Sequence, residues 1–517
     1  MDEVNHVVIV GGGTAGWLTA CILAADHRTA SGGGLKVTLI ESPGIPILGV
    51  GEGTWPSLRD TLRRIGLSES EFIRRCQASF KQGSRFDGWL DGRPGDTYYH
   101  PFDALPPADD VNALALWHSA PAGTPFAAAV SAQVHLCTAG RAPKQPQTPE
   151  YAAVANYAYH LDAPAFAALL CEHGTRHLGI RHIRDDVTGV RRAQGGSVEA
   201  VETSANGAIA ADLFVDCSGA RGLLIGDALG VPLKDVSACL FNDRALAIQV
   251  PYAAPDAPIA SQTNAAAQPA GWIWDIGLQS RRGIGHVYAS AFRSEEDARA
   301  DLTAYLAGTA PGCGFTGADA RLISFRSAYR DTPWTENVVA IGMSQGFVEP
   351  LEASAIVMIE LAAAQLSDTL PPVKSLFASA ARQFNARAAY RWERITEFLK
   401  LHYILSQRTE PYWQAHRDPG SWPARLIEGM ARWQHMPPSR EDFPQSQEIF
   451  PAASYAFILY GMGHRPQAGA LRRRRDDPAL AKRYLADIDA RTRKFLAGLP
   501  AHRELIQHIC ERGLARA

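Results

Sequence analysis

The chain has 517 residues, 46% of them hydrophobic and 20% charged, with a formal net charge of -2. That length allows two or three domains with large cores, the composition is that of a soluble globular protein, and so balanced a charge excludes nucleic acid or an anionic membrane as an expected partner. Eight cysteines stand at 21, 76, 137, 171, 217, 239, 313 and 510 without a CxxC pair, so no metal site or dithiol motif is expected. They read as reduced thiols of a cytoplasmic protein. The basic run Arg472-Arg473-Arg474-Arg475 meets Asp476-Asp477-Pro478 and reads as a solvated loop. The acidic start Met1-Asp2-Glu3 argues against a signal peptide, and no apolar run reaches the roughly 18 residues of a membrane span.

The first element, His6-Val7-Val8-Ile9-Val10, is a continuous apolar run and predicts a buried parallel strand. Glycines follow, then Trp17 to Ala25 predicts a helix; a glycine-rich turn over Ser31 to Gly34 leads to a strand at Val37–Ile40, ending on Glu41. Later strands, Leu213–Asp216 and Val338–Ile341, run into Cys217-Ser218-Gly219 and Gly342, as strands delivering loops to the ligand edge of an open α/β sheet do. The parallel sheet is therefore discontinuous in sequence. Stretches rich in Ala and Pro near 103–130 and 251–270 read as long loops or insertions. From about 376 the pattern turns helical, with Phe384, Ala388, Trp392, Ile395 and Leu399 on one face. No internal repeat occurs.

Gly11-Gly12-Gly13-Thr14-Ala15-Gly16 lies between the first strand and its helix. Gly11 permits a tight turn, Gly13 lets the backbone approach a pyrophosphate, and Gly16 lets helix and strand pack closely. Thr14 and Ala15 open a helix whose N-terminus offers free N–H groups and partial positive charge. Glu41 is placed to accept hydrogen bonds from a ribose hydroxyl, which disfavours NADPH. One such fingerprint means one dinucleotide held this way, and the later Asp216 to Ala220 and Ala340 to Gly342 segments favour FAD.

Four further segments, with the loop and its following Trp17, resemble the flavin-dependent tryptophan halogenase family. They are Val50-Gly51-Glu52-Gly53-Thr54, Phe80-Lys81-Gln82-Gly83, Gly271-Trp272-Ile273-Trp274-Asp275-Ile276, and Gly346-Phe347-Val348-Glu349-Pro350-Leu351-Glu352-Ala353-Ser354. They run from residue 11 to about 356, over two thirds of the chain, and Phe398 to Tyr403 is a looser match. The resemblance implies an α/β fold, a Rossmann-like FAD-binding domain with a doubly wound parallel sheet of the flavin monooxygenase type. It spans 1–375 discontinuously, with inserted β-rich substrate segments at about 103–150 and 235–325, and residues 376–517 form a mainly helical part covering the substrate. Flavin contacts would extend to Gly49, Val50, Gly51, Glu52, Val187, Asp216, Gly219, Gly342, Met343 and Ile356.

The family's chemistry, as the resemblance implies it, starts from FADH2 and oxygen, which give a flavin C4a-hydroperoxide; halide attack on this yields hypohalous acid for an electron-rich arene such as an indole. Lys81 would orient and polarise that acid or become a haloamine, and burial would ease either role. Glu352 would stabilise the cationic arenium and position the halogenating agent. Without the resemblance it is a helix-start acid after Pro350, and Glu349 is structural. Halide would meet Ser354 and Ala355, where the family's Ser-Thr-Gly has become Ala353-Ser354-Ala355; this departure permits bromide as well as chloride. Trp272 and Trp274 alternate on a strand and would stand between flavin and substrate; the motif ends Asp275-Ile276-Gly277 where the family has Ile-Pro. His100 and Phe102 resemble substrate-pocket residues, and Glu448, Phe450 and Tyr455 fall where tryptophan-specific members hold the amino acid. With one nucleotide fingerprint, FADH2 would come from a separate NADH-dependent reductase, and a homodimer is left open. The alternatives are a flavin monooxygenase, or a flavin-binding protein without turnover.

Overall fold

Val7, Val8 and Ile9 have no accessible surface. A strand buried on both faces needs neighbours on both edges, and His6–Val10 has them: Lys36–Glu41 on one side and Leu213–Asp216 on the other, both parallel. In this computed structural model, which describes residues 3–516 apart from 32–33, 46–48, 50, 107–111, 447 and 468–476, the sheet grows to six strands. Their order is Trp334–Thr335, Val338–Ala340, Leu213–Asp216, His6–Val10, Lys36–Glu41, Arg181–Arg184. All neighbours are parallel except the edge pair Trp334–Thr335 and Val338–Ala340. Val50 and the arginines 472–475 lie outside the described residues, as do Gly32 and Gly33 of the expected turn.

Crossovers are helical, as parallel strands require. Thr14–Asp26 joins the first two strands, and every residue from Gly16 to Ala24 is buried. Ala163–His177 precedes Arg181–Arg184; Asp162 caps it by accepting from the Ala165 N–H, with Pro164 in the first turn. A three-stranded antiparallel sheet, Val187–Arg192, Val198–Thr203 and Gly207–Ala210, shares a core with the parallel one through Val198, Val201 and Ile209. These elements, with the helix Ser354–Asp368, belong to the first of two compact units: Met1–Ala78, Leu161–Val236 and Arg326–Glu393. Its doubly wound sheet is the α/β, Rossmann-like fold of FAD-binding proteins.

The second unit is Ser79–His160, Ser237–Phe325 and Arg394–Ala517. Its frame is a seven-stranded sheet ordered Arg321–Ser324, Arg244–Pro251, Arg281–Tyr288, Gly271–Gly277, Thr263–Gln268, Gly83–Asp87, Thr97–Pro101. Only the pairing of Thr263–Gln268 with Gly83–Asp87 is parallel. Helix Glu295–Thr309 covers one face through Ala298, Leu302 and Leu306, packed with Leu246, Ile273 and Ile284. Two expectations are corrected here. The Ala-rich stretch 251–270 is not all loop, since Thr263–Gln268 is an interior strand paired on both edges. The stretch 103–130 holds the helices Ala113–His118 and Phe126–Val130, the first capped by Asn112. Helix Phe377–Ile404 is 28 residues long, and the change of unit at 393/394 falls inside it; Phe384, Ala388, Trp392, Ile395 and Leu399 are all buried. Among the described residues no helix is long and apolar enough to cross a membrane.

Candidate active site

Each glycine of the loop in the first unit has a separate steric reason. Gly11 takes φ +121°, and a Cβ there would stand 2.2 Å from the Cys217 carbonyl oxygen. A Cβ on Gly16 would meet the Gly11 carbonyl oxygen at 1.8 Å, and one on Gly12 would meet Glu41 Cγ at 2.2 Å. The Gly12 constraint is invisible in sequence, because it depends on where Glu41 lies. Gly13 is different: a Cβ would meet nothing within 4 Å. Helix Thr14–Asp26 begins there with no side chain capping it. Its N-terminus therefore presents N–H groups and positive dipole to open space, the arrangement a pyrophosphate needs.

Two more loops border this cradle. A Cβ on Gly342, at φ +80°, would touch Ala15 Cβ at 2.7 Å, so the loop after Val338–Ala340 lies directly against the helix start. Beside it Met343 is 38% exposed, a large apolar side chain left at the surface. Gly219, at φ +76°, also has open space around it. Asp216, in contrast, is fully buried and occupied: Oδ1 accepts from the Ser218 N–H and hydroxyl, and Oδ2 from the Leu224 and Ile225 N–H groups. Its carboxylate builds the Gly219 loop. Glu41 lies 2.9 Å from His182 Nε2 and keeps 27% of its side chain exposed. Gly49 and Gly51 are half-buried, as is Val187 on its antiparallel strand; Glu52 is half-buried, with its carboxyl pushed up to about 7 by lost hydration. Ile356 is buried within its helix. The open glycine cradle, the uncapped helix and exposed Met343 fit a dinucleotide such as FAD.

In the same unit, the segment after Phe347 departs from the helix start that Pro350 suggested. Glu352 and Ala353 take consecutive left-handed conformations, φ +62° and +55°. Non-glycine residues there cost about 1–2 kcal/mol each, and such strain persists where surrounding contacts outweigh it. Two contacts are visible: Trp55 Nε1–H donates to the Glu352 carbonyl at 2.7 Å, and the Ala353 N–H to the Pro350 carbonyl at 2.9 Å. Helix Ser354–Asp368 starts immediately after, with no side-chain cap. Ser354 is buried, and Ala355 is exposed in the first turn with helical geometry, so alanine costs the backbone nothing where the family has glycine. Glu349 is almost fully buried.

In the second unit Lys81 is only 1% exposed. It ends the short strand Ser79–Lys81, paired antiparallel with Tyr159 opposite Phe80 and Ala158 opposite Lys81. Every neighbour is tied down. The Ser79 hydroxyl donates to the Gly277 carbonyl, the Phe80 N–H to His502 Nε2 at 2.9 Å, and the Gln82 N–H to the Ser261 carbonyl at 2.7 Å. Gly83, at φ +144°, leaves no room for a Cβ, which would meet the His100 carbonyl oxygen at 2.5 Å. Lys81 Nζ lies 5.5 Å from the Phe102 ring centre, and its charge, with burial, holds His160 well below the usual histidine range. His160 and His502 carry no local sequence signal.

Trp272 and Trp274 share one face of Gly271–Gly277, their ring centres 6.5 Å apart. Trp274 lies over Gly285, where a Cβ would stand 2.1 Å from its ring, and Trp272 packs against buried Trp89 at 6.1 Å. The missing Ile-Pro ending is also explained. Asp275 pairs with Arg282 and accepts from the Tyr305 hydroxyl at 2.9 Å, and the strand runs on through Gly277, opposite Arg282. A side chain is also excluded there, since a Cβ on Gly277 would stand 2.7 Å from the Tyr252 hydroxyl and 2.8 Å from Ile259.

The remaining substrate candidates divide. Phe102 is half-buried near Lys81, whereas His100 is buried with Nε2 3.0 Å from the Ser454 hydroxyl. Glu448 accepts from its own loop at the Gln445 N–H. Phe450 stacks on Phe398 at 3.8 Å, and Tyr455, fully buried, donates to Glu397 at 2.9 Å.

A doubly wound sheet with this cradle defines an FAD-type flavoprotein. Comparison with known proteins narrows the class. The family model "Tryptophan halogenase" matches residues 6–476. The 7-chloro-L-tryptophan 6-halogenase KtzR of Kutzneria sp. (strain 744) is 34% identical over 533 residues, covering 98% of this chain and all of the relative. A tryptophan halogenase structure from Shewanella frigidimarina NCIMB 400 superposes with a TM-score of 0.94 at 42% identity, covering 100% of this chain and 99% of the other. BrvH, a flavin-dependent halogenase from Brevundimonas sp. BAL3, gives 0.84 at 33% identity, covering 98% and 100%. The chain belongs to the tryptophan halogenase family. It is a flavin-dependent halogenase, an oxidoreductase that uses FAD and halide.

Proposed function

We propose that the chain halogenates an electron-rich arene, an indole or simple indole derivative, with bromide or chloride. The observation that carries this reading is Lys81, a lysine 1% exposed on a strand whose neighbouring residues are all anchored. Burying a lysine is costly, and a function that needs a positioned ammonium accounts for it.

Gly11, Gly13, Thr14, Ala15 and Gly16 would hold the pyrophosphate, Glu41 the ribose, and the segments at Gly49–Glu52, Val187, Gly219, Gly342, Met343 and Ile356 the rest of FAD. Asp216 would act through the loop it shapes. FAD, when bound and reduced through a separate NADH-dependent reductase, would supply with dioxygen the oxidising power that turns halide into hypohalous acid. The uncapped helix start at Ser354 and Ala355 would draw the halide to N–H groups. Lys81 would donate a hydrogen bond to hypohalous acid, polarise it and give its proton to the departing hydroxide, so that the arene carbon takes the halogen, the oxygen leaves as water, and the amine is reprotonated by way of solvent. Glu352 would steady the resulting arenium and receive its ring proton. Phe102, Trp272 and Trp274 offer aromatic surface to an indole, with His100 shaping the pocket. Glu448 is engaged by its own loop, which favours an arene without an amino-acid head group.

The test supplies FADH2, oxygen and either halide to the purified protein with a panel of arenes, read by mass spectrometry. Halogenated indole is expected, and Lys81→Ala should remove it while FAD still binds. Undiminished product from that variant sinks the mechanism, and oxygenated product formed without halide marks a monooxygenase.

A further inference from the structure

Glu41, Cys171 and His182 form a cluster that the flavin reading uses only in part. Glu41 ends the strand Lys36–Glu41, and His182 stands opposite Leu39 on the parallel neighbour, so both side chains share a face. Cys171 comes from helix Ala163–His177. Its Sγ is 3.8 Å from His182 Nδ1, and His182 Nε2 is 2.9 Å from Glu41 Oε2. One ligand atom from each residue lies within 4.8 Å of the others. Trp17 packs edge-on against the imidazole at 4.9 Å, which fixes the ring plane. All three residues are half-buried, so an ion can enter from solvent.

We propose that these three residues bind one zinc-class divalent cation, and that the cation and FAD exclude one another because both need Glu41. The second half rests on the reading that Glu41 holds the ribose. A thiolate, an imidazole and a carboxylate form a borderline-soft donor set that suits zinc and disfavours magnesium or calcium. An imidazole ligates one cation through a single nitrogen, and Cys171 faces Nδ1 while Glu41 lies near Nε2, so closing the site turns one of those side chains toward the nitrogen that the other faces and leaves a fourth position for water. Charge balances: the Cys171 thiol releases its proton to solvent, and one thiolate and one carboxylate neutralise the dication. Without a cation, burial and the Glu41 charge hold that thiol protonated. No sequence spacing announces the site, because positions 41, 171 and 182 meet only in the fold.

Cobalt is the probe. Flavin-free protein titrated with Co2+ should develop a thiolate-to-cobalt charge-transfer band and tetrahedral visible bands, saturating at one ion per chain. Cys171→Ser should lose the charge-transfer band, whereas Cys21→Ser, altering a neighbouring thiol on another helix, should keep it. Circular dichroism checks that both variants fold. Adding FAD should bleach the bands, and saturating cobalt should weaken FAD binding by ~tenfold or more, since linkage is reciprocal. No band, or a band retained in Cys171→Ser, overturns the cation site. Bands that survive saturation with FAD overturn the exclusion. A protein that binds cobalt but no FAD fails the flavin reading and leaves the cation site supported.

Discussion

Glu360→Gln should remove a pH dependence that the wild-type fold carries in its first unit. Glu360 is 3% exposed in helix Ser354–Asp368, and its carboxyl accepts from the Thr61 hydroxyl at 2.5 Å and the Ser57 hydroxyl at 3.3 Å. Burial outweighs both hydrogen bonds and pushes the carboxyl from 4.5 up to about 8. The folded chain therefore holds this proton over a range where the unfolded chain has lost it. Stability from this group is complete below the unfolded value and is lost as pH rises towards 8. At about 1.4 kcal/mol per unit, the ceiling is about 5 kcal/mol. Glutamine keeps the shape and an acceptor but has nothing to ionise. Urea unfolding of both proteins, followed by tryptophan fluorescence and circular dichroism at several pH values between about 5 and 9, is the assay. The variant should match the wild type at the acid end and exceed it by several kcal/mol at the alkaline end. A wild-type-minus-variant difference that stays constant across the range refutes the reasoning.

His502 gives the opposite slope in the second unit: lost hydration of the charged ring, aided by the Arg503 charge, lowers it from 6.5 to about 4, and the neutral Nε2 accepts from the Phe80 N–H. Its contribution, about 3 kcal/mol, should disappear as pH falls from 6.5 to 4, and His502→Gln should flatten acid unfolding followed by calorimetry. Gly12→Ala drives a methyl into Glu41 and should raise the FAD dissociation constant tenfold or more, at about 1–3 kcal/mol, measured by fluorescence quenching. An unchanged constant would remove Glu41 from the flavin site. Ala353→Gly relieves a left-handed residue and should leave the protein as stable or up to about 1 kcal/mol more so in thermal unfolding, with FAD binding intact. Gly285→Ala forces Trp274 to move and should cost about 1–3 kcal/mol in the same measurement.

Four of the six strands of the first sheet were legible because they are largely apolar runs, three of them ending on glycine loops, a pattern local in sequence; Arg181–Arg184, with three polar residues of four, and the two-residue Trp334–Thr335 carry no such signal. Lys81 and Trp272 were legible only through resemblance, since burial of a lysine cannot be read from a polar four-residue segment. Other features depend on partners far along the chain. Asp216 reads as a ligand contact until four donors between Ser218 and Ile225 are seen to occupy it. Tyr455 reads as a substrate contact until it is found buried on Glu397. Thr263–Gln268 lacks the β-branched run that announces a strand, and it forms one through pairing on both edges, with Gly271–Gly277 and Gly83–Asp87.

The departures from the family pattern have different consequences once the backbone is known. Gly277 sits where a Cβ would crowd Tyr252 and Ile259, and its carbonyl accepts from Ser79, two residues before Lys81. That anchor is a backbone carbonyl, so it does not depend on which residue stands at 277. Ala355 sits in ordinary helical geometry, so it leaves the helix start, and the N–H groups an anion would meet, unchanged. The strain lies one step earlier, at Glu352 and Ala353, where no local motif asks for glycine and the Trp55 hydrogen bond helps hold the turn. The strained backbone fixes where the Glu352 side chain leaves the chain, and changing that direction means refolding the turn. The segment departs from the family's Ser-Thr-Gly at all three positions, 353 to 355, and the turn is held by backbone hydrogen bonds that none of those side chains makes.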